Sequence, residues 1–308
     1  MERLRDIGED ALIDRLTAGL PLGAGTLVGP GDDCAVLATA DAAVWELLKT
    51  DCLVEGVHFS PDTDAEAVGW KALCRSLSDI AAMGGRPHAA LVTLAVPADR
   101  AVHVVEGWYR GLRHAASAFD VAIVGGETSS TPAGTATAFL SITVTGTVPA
   151  DLCLLRSTAR VGDRLAVTGR LGGSFASGRH LDFIPRLREG AWLAGLGADR
   201  PTAMMDLSDG LARDLPRLAK ASGGLGWRLD VETLPCHPGC DPGHAIGDGE
   251  DYELLLTLAP GTTDRVLTAW SSAFPDTPLT VIGQLTPTVE TPLAGGWEHF
   301  TPSPDASA

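Results

Sequence analysis

Apolar and polar positions along the first half of the chain fall into blocks that separate strands from helices. Short apolar runs bounded by turn residues predict strands, and they lie near residues 34–37, 44–54, 89–96, 121–124 and 136–148. Two longer stretches with helical character separate these runs. Alternation of strands with helices predicts an α/β or α+β fold.

The best-defined helix is predicted from about Asp64 to Met83. Its apolar stripe has helical spacing and consists of Leu73, Leu77 and Ile80. Thr63, with Glu66 three residues later, predicts a capping box at the start. Asp79 falls in the last turns, where the helix dipole disfavours an exposed carboxylate by about 0.3–1 kcal/mol. We therefore expect a compensating cation or donor beside Asp79, or, as the simpler alternative, a salt bridge to Arg75 one turn earlier.

The pattern breaks near residues 148–151, and a second α/β series follows. Strands are predicted near residues 164–168, 203–205, 227–231, 252–258 and 279–282, and helices near residues 187–194, 207–222 and 262–273. A chain of 308 residues suits two domains of roughly 150 residues each. We expect domains at residues 1–150 and 151–308, with a disordered tail after about residue 300.

The composition of the chain argues against nucleic acids and membranes as binding partners. Apolar residues make up 45% of the chain and charged residues 20%, as in ordinary soluble globular proteins. The net charge is -16 and the lysines are Lys49, Lys71 and Lys220, so a nucleic acid partner is not expected. No apolar run reaches the roughly 18 residues that span a bilayer, and the N-terminus is charged rather than signal-like. We expect a cytoplasmic protein without a membrane partner.

The six cysteines do not form the dense pattern of a disulfide-stabilised domain. Three of them fall in predicted strands or helices, where reduced cysteine packs as a small apolar residue: Cys34, Cys52 and Cys74. One further group has the ligand types that zinc prefers: Cys236, His237, Cys240 and His244. The spacing of this group is irregular and no second cluster accompanies it, so packing is the preferred interpretation and structural zinc the alternative.

Carboxylates recur in short stretches rich in Gly, Ser or Thr over more than half of the chain. They are Asp32, Asp33, Asp51, Asp79, Glu127, Asp206 and Asp209. Any one of them could be a solvated loop tip. The repetition favours convergence on Mg²⁺, which prefers oxygen ligands and bridges carboxylates to phosphates. Without a metal, a carboxylate about 4 Å from a phosphate oxygen would repel it by about 4 kcal/mol at an effective dielectric constant of about 20.

Familiar nucleotide-binding loops are not found in the sequence. It has no Gly-x-x-x-x-Gly-Lys-Ser/Thr loop and no kinase-type Gly-rich loop followed by a strand lysine. Any nucleotide would therefore be held through Mg²⁺.

The motifs carry a family resemblance. In chain order they are GDDCAV, TD-x-LVEGVHF, K-x-L-x(3)-LSDIAAMG, GGET, RSTARVGD, MDLSDGL and GEDYEL. This set, spread from Gly29 to Phe300, resembles the thiamine-monophosphate kinase family of the aminoimidazole ribonucleotide synthetase-like ATP-using superfamily. The resemblance implies a two-domain fold of that type. Its N-terminal domain would bind ATP and Mg²⁺ and form a homodimer through its sheet, and its C-terminal α/β domain would close over the site.

The implied activity is ATP-dependent phosphorylation of thiamine monophosphate to thiamine diphosphate, the last step of thiamine diphosphate biosynthesis, by direct in-line transfer assisted by several Mg²⁺ ions. By resemblance, the metal positions are Asp33, Lys49, Thr50, Asp51, Asp79, Glu127, Asp206 and Asp209. The ATP positions are Tyr109, Gly126, Glu127, Arg156 and Ser208, and the substrate positions are His58, Glu250 and Trp297. Asp51, Asp79, Arg156 and Asp206 are the residues expected to act in catalysis.

Two residues depart from the family pattern. Lys49 stands where the family usually has a small hydroxyl residue, so its ammonium could replace one cation or contact phosphate. Glu127 replaces the commoner Asp. Both changes leave the number of metals open. A non-catalytic thiamine-phosphate or nucleotide sensor, or another ATP-using member of the superfamily, is the alternative function.

Overall fold

The structure is a computed structural model and describes residues 2–300. The tail expected to be disordered after about residue 300 lies outside the described residues. The helices are α1 (Leu4–Ile7), α2 (Glu9–Thr17), α3 (Ala65–Ala82), α4 (Val102–Ala118), α5 (Ser174–Ser177), α6 (Leu187–Ala194), α7 (Leu211–Ala221), α8 (Pro242–Gly247) and α9 (Thr263–Ala273). The strands are β1 (Thr26–Val28), β2 (Ala35–Ala38), β3 (Val44–Val54), β4 (Arg86–Val96), β5 (Ala122–Ser130), β6 (Phe139–Pro149), β7 (Arg164–Thr168), β8 (Ala203–Leu207), β9 (Gly226–Leu229), β10 (Glu253–Leu258) and β11 (Leu279–Thr286).

The first sheet has the strand order β1-β2-β3-β6-β4-β5, with β4 and β5 parallel and the other pairs antiparallel. Buried and half-buried residues alternate along β6, as expected for a sheet with one covered face. The covered face packs on α3 and α4. We call the other side the open face; it includes Leu48, Thr50, Leu91 and Thr143, which share it by register.

Helix α3 lies at the centre of the molecule and confirms the predicted helix. Its cap differs from the prediction, because the Asp64 carboxylate accepts the Ala67 N–H at 2.9 Å. Thr63 instead accepts a hydrogen bond from the Ser60 N–H. A carboxylate is a strong acceptor for the free N–H groups at a helix start, so Asp64 takes the capping position that the sequence assigned to Thr63.

The second sheet has the strand order β8-β10-β7-β11-β9 and is antiparallel throughout. Every residue of β8 and β10 is buried. Helix α7 packs on one face, and α6, α9 and the end of α3 pack on the other. The predicted α/β (α+β) class is thereby confirmed.

The two sheets meet at α3. The Ser78 hydroxyl on α3 donates to Asp206 Oδ2 on β8 at 2.7 Å, and Ala82 packs in the core under the second sheet. The division into domains near residue 150 stays a prediction. Among residues 2–300, no helix is both long enough and apolar enough to cross a membrane.

Candidate active site

Three buried carboxylates come together where the two sheets meet. Asp33 precedes β2, Asp79 lies near the end of α3, and Asp206 lies in β8. One oxygen of each lies within 4.8 Å of those of the other two. We call this group the carboxylate cluster. Its members come from positions far apart in the chain, as the motif pattern predicted.

Two side-chain cations already contact the cluster. Lys49 on β3 places Nζ 2.5 Å from Asp79 Oδ1, and Arg156 places Nη2 2.5 Å from Asp33 Oδ1. The expected compensating cation beside Asp79 is therefore Lys49. The alternative, a salt bridge between Asp79 and Arg75, is wrong because Arg75 pairs with Asp51 instead.

The cluster still has more negative than positive charge. Burial, followed by the charge of Asp33, raises the pKa of Asp206 to about 7, and burial raises the pKa of Asp79 well above its usual value. The buried Oδ2 of Asp33 has no hydrogen-bond partner among the described residues. An all-oxygen site with an unpartnered carboxylate oxygen fits a hard divalent cation such as Mg²⁺.

A cavity of about 380 Å³ lies beside the cluster. All three predicted substrate residues line it, as do two residues predicted to bind ATP or metal: His58, Glu250, Trp297, Ser208 and Asp209. Sequence reasoning missed seven further lining residues: Val57, Arg75, Phe175, Ala176, His244, Asp248 and His299. Ser208 and Asp209 lie two and three residues after Asp206 in the chain, so one short segment connects the cluster to the cavity.

Lys71 connects two residues that line the cavity, His58 and Glu250. Its side chain is fully buried, and Nζ donates to the His58 carbonyl at 2.8 Å and lies 2.6 Å from His180 Nδ1. It also forms an ion pair with Glu250. Burial lowers the pKa of Lys71 to about 8, against the opposing effect of Glu250. The only sequence signal for Lys71 was its place at the start of the K-x-L motif.

The cavity acid and the cavity histidine both have lowered pKa values. Burial raises the pKa of Glu250, but His180, Lys71 and Arg75 outweigh burial and lower it to about 2. Burial and the charge of Arg75 lower the pKa of His58 to about 3. His58 Nδ1 accepts the Val54 N–H at 3.0 Å, so the neutral ring carries its proton on Nε2, which leaves that N–H as a donor.

Asp209 lines the cavity but is not part of the cluster. Arg217 on α7 forms an ion pair with it at 2.5 Å. The buried carboxylate of Asp214 accepts the backbone N–H groups of Ser208 and Asp209 at 3.1 and 3.0 Å. These bonds fix the loop that connects the cluster to the cavity.

Thr50 and Glu127 lie on the open face of the first sheet. Side chains alternate between the faces of a strand, so Thr50 points away from Lys49, and its hydroxyl lies 3.2 Å from that of Thr143. Glu127 shares the open face by register and accepts a hydrogen bond from Ser129 at 3.3 Å. Strands β6 and β4 lie between β3 and β5, which puts β5 about 14 Å from β3. Within one chain, these two predicted metal ligands do not reach the cluster.

The predicted ATP contacts are divided between two regions. Arg156 and Ser208 lie at the cluster and the cavity. Gly126 lies on β5, where a Cβ would collide with the Val92 carbonyl oxygen, so this close pairing requires glycine. Tyr109 is half buried on α4 against the core of the first sheet. Among the described residues, no hydrogen bond or ion pair joins Tyr109 to the cluster.

The alternative of a zinc site gains no support. Among residues 2–300, three or more His, Cys, Asp or Glu ligand atoms converge in the carboxylate cluster, and no such group includes Cys236 or Cys240. His244 instead pairs with Asp241 at 2.8 Å, at the start of α8.

The chain is similar to a known protein family and to named proteins from other organisms. A family model described as AIR synthase related protein, N-terminal domain, matches residues 31–148. Thiamine-monophosphate kinase of Rhodopirellula baltica is 39% identical over 250 residues, 76% of each chain. The protein of that name from Synechococcus elongatus is 32% identical and covers 97% of this chain and 98% of its own.

A solved structure, described as AaThiL complexed with AMPPCP and TMP, has a TM-score of 0.80 and 30% identity. It covers 97% of this chain and 99% of that one. The expected aminoimidazole ribonucleotide synthetase-like fold is therefore confirmed.

Proposed function

This chain belongs to the thiamine-monophosphate kinase family, and on that basis we propose that it transfers the γ-phosphoryl group of ATP to the phosphate of thiamine monophosphate. The products would be thiamine diphosphate and ADP. The observation that carries the proposal is the carboxylate cluster beside a cavity lined by His58, Glu250 and Trp297. The related structure with AMPPCP and TMP supports both substrates.

The carboxylate cluster is where we place the polyphosphate of ATP. Asp33, Asp79 and Asp206 would hold Mg²⁺, which when bound offsets the negative charge of the transferred phosphoryl group. Arg156, beside Asp33, would bind a phosphate oxygen through N–H groups directed away from that pair. Asp51 follows Thr50 in the strand and lies on the same face as Lys49. It would add a further negative charge to the site.

The cavity is where we place the thiamine part of the substrate. Trp297 is 42% exposed, so its ring can cover the thiazolium cation, a contact worth about 0.5–2 kcal/mol. Neutral His58 would donate through Nε2, and Glu250, held ionised by Lys71, would accept from the aminopyrimidine. The cavity therefore has a place for each end of the ring system.

Transfer needs no protein base in this proposal. The second pKa of a phosphate monoester is near 6, so the attacking phosphate is already largely dianionic at pH 7. The residues have to bring two anions together in line and balance their charge. That demand explains a site with many acids, bound cations and a neutral histidine.

We also propose that two chains pair through the open face of the first sheet. Leu48 and Leu91 lie there with 38% and 46% of their surface exposed, and the hydroxyl groups of Thr50 and Thr143 lie on the same face. Light scattering on the eluted protein should give about 64 kDa, twice the chain mass of 31.9 kDa; a mass near 32 kDa would contradict the dimer. A cytoplasmic location remains an expectation from the sequence.

The proposed function is tested by ³¹P NMR of the protein with ATP and Mg²⁺, with and without thiamine monophosphate. Resonances of thiamine diphosphate that grow together with ADP are expected. ADP and inorganic phosphate without thiamine diphosphate would favour another activity of the superfamily. Saturable binding without turnover would favour a sensor.

A further inference from the structure

We propose that Arg75 binds the phosphate group of thiamine monophosphate and holds it between the cavity and the carboxylate cluster. The inference rests on the proposed function and assigns one more residue to it. Arg75 lies on α3, lines the cavity, and keeps 12% of its side chain exposed.

The guanidinium of Arg75 has donors to spare. Nη1 donates to the Cys52 carbonyl at 3.0 Å. Nε lies 3.2 Å from Asp51 Oδ2 but lacks hydrogen-bond geometry and has no other partner among the described residues. A guanidinium carries five N–H donors; Nε is buried and one N–H of Nη1 is used, which leaves three for a ligand in the cavity. A planar fork of donors matches a phosphate group well.

The charges around the cavity favour the same assignment. Arg75 is the one lysine or arginine among the described residues that line it. The three acids there already have partners: Asp209 pairs with Arg217, Glu250 pairs with Lys71, and Asp248 accepts the Gly173 N–H at 2.8 Å. Thiamine monophosphate has a cationic ring and an anionic phosphate. Trp297 suits the ring, and Arg75 is the group in the lining that suits the phosphate.

Arg75 also has the right position relative to the cluster. Residues four apart on a helix share one face, so Arg75 and Asp79 lie one turn apart, about 6 Å along the axis of α3. Asp51, the ion-pair partner of Arg75, lies on β3 two residues from Lys49, which contacts Asp79. A phosphate held by Arg75 would therefore face the place where the γ-phosphoryl group of ATP is expected.

The test compares two ligands on three forms of the protein. Isothermal titration without ATP would measure the Kd of thiamine monophosphate and of thiamine for wild type, Arg75→Met and Arg75→Lys. Loss of a charge-assisted phosphate contact should weaken thiamine monophosphate by about 10- to 100-fold in Arg75→Met, with thiamine unchanged. Arg75→Lys should recover part of the loss, since lysine keeps the charge without the fork.

Arg110→Met is the matched control, because Arg110 pairs with Glu66 at the surface, on α4; it should bind both ligands as wild type does. An equal loss for both ligands in Arg75→Met would assign Arg75 a structural role and overturn the inference, as would no loss at all. If Arg75→Met does not fold, Arg75→Lys decides: an unchanged ratio of the two Kd values would contradict the inference. If the wild-type protein binds neither ligand, the result contradicts the proposed function and therefore also this inference.

Discussion

The carboxylate cluster and the cavity lie side by side, yet their buried acids are in opposite electrostatic states. In the cluster, the pKa of Asp206 rises to about 7; in the cavity, the pKa of Glu250 falls to about 2. The cluster sets three carboxylates against the two cations Lys49 and Arg156, whereas Glu250 alone has His180, Lys71 and Arg75 as neighbours. Burial raises the pKa of both acids, and only at Glu250 do the neighbouring groups outweigh burial. The cluster would gain from an added cation, and the cavity acid would not.

The largest expected effect is the loss of activity in Asp206→Asn. Removing one ligand that balances charge in transfer should lower kcat by about 100- to 1,000-fold. The free energy of unfolding without metal should not fall, because Asn removes a carboxylate that Asp33 repels. Enzyme assays and urea unfolding measure the two quantities. Asp199→Asn, which removes a surface pair with Arg265, is the control. A large loss of stability would show that the cluster is not short of positive charge.

Glu250→Gln should behave in the opposite way and destabilise the fold. The change leaves Lys71 buried without its anionic partner, and breaking a buried pair costs about 3 kcal/mol or more. Urea unfolding at pH 7 measures the cost. Glu290→Gln, which removes an exposed partner of Arg228, should change stability by less than about 1 kcal/mol. Equal losses of stability in Glu250→Gln and Glu290→Gln would show that Glu250 does not stabilise the fold through a buried ion pair. The cavity acid would then not differ from the cluster acids in the proposed way.

A smaller effect concerns the pH dependence of stability through His58. Its pKa in the fold, about 3, lies below its usual value of 6.5, so below pH 6.5 the unfolded chain binds more protons. Stability should therefore fall as pH drops from 6.5 toward 3, by about 1.4 kcal/mol per pH unit. His58→Asn keeps an acceptor for the Val54 N–H but cannot titrate. Unfolding at pH 6.5 and 5.5 should show wild type losing about 1 kcal/mol more than the variant, because half of the unfolded chains already carry the His58 proton at pH 6.5; parallel losses would contradict a buried neutral His58.

The smallest effect is expected from Lys49→Ala. Without the ammonium, Asp79 loses its partner cation, and the cluster should bind one more divalent ion per chain. Counting bound Mn²⁺ by electron paramagnetic resonance with a non-hydrolysable ATP analogue gives the number, and the Mg²⁺ dependence of the rate should change with it. The same ion count and an unchanged Mg²⁺ titration would show that Lys49 does not replace a metal.

Much of the fold could be predicted where apolar pattern and burial coincide. The bounds of β3, β7 and α6 match the prediction. The first two helices were not predicted, because neither has a buried residue to create a pattern. Strand β5 continues to Ser130, well beyond the predicted end at 124, because its later part is an exposed edge paired with β4 through its backbone.

The sequence predicted which residues belong to the site better than it predicted which of them contact each other. The motifs indicated the acids, and the structure brings Asp33, Asp79 and Asp206 together. The pairing of Lys49 with Asp79 depends on how β3 lies against α3, which local sequence does not determine. Lys71 was missed as a site residue for the same reason, since its partners His180 and Glu250 come from the far half of the chain.

The loop that ends with Trp297 has a consequence for synthesis on the ribosome. The first sheet ends at Pro149, so all of its strands are made before the second half of the chain. The cluster must wait for Asp206, and the cavity wall must wait for Trp297, whose N–H bonds to the Asp209 carbonyl at 2.8 Å. A message cut shortly before codon 297 would therefore yield a chain with both sheets and every acid of the cluster, but with an open cavity that cannot enclose a thiamine ring.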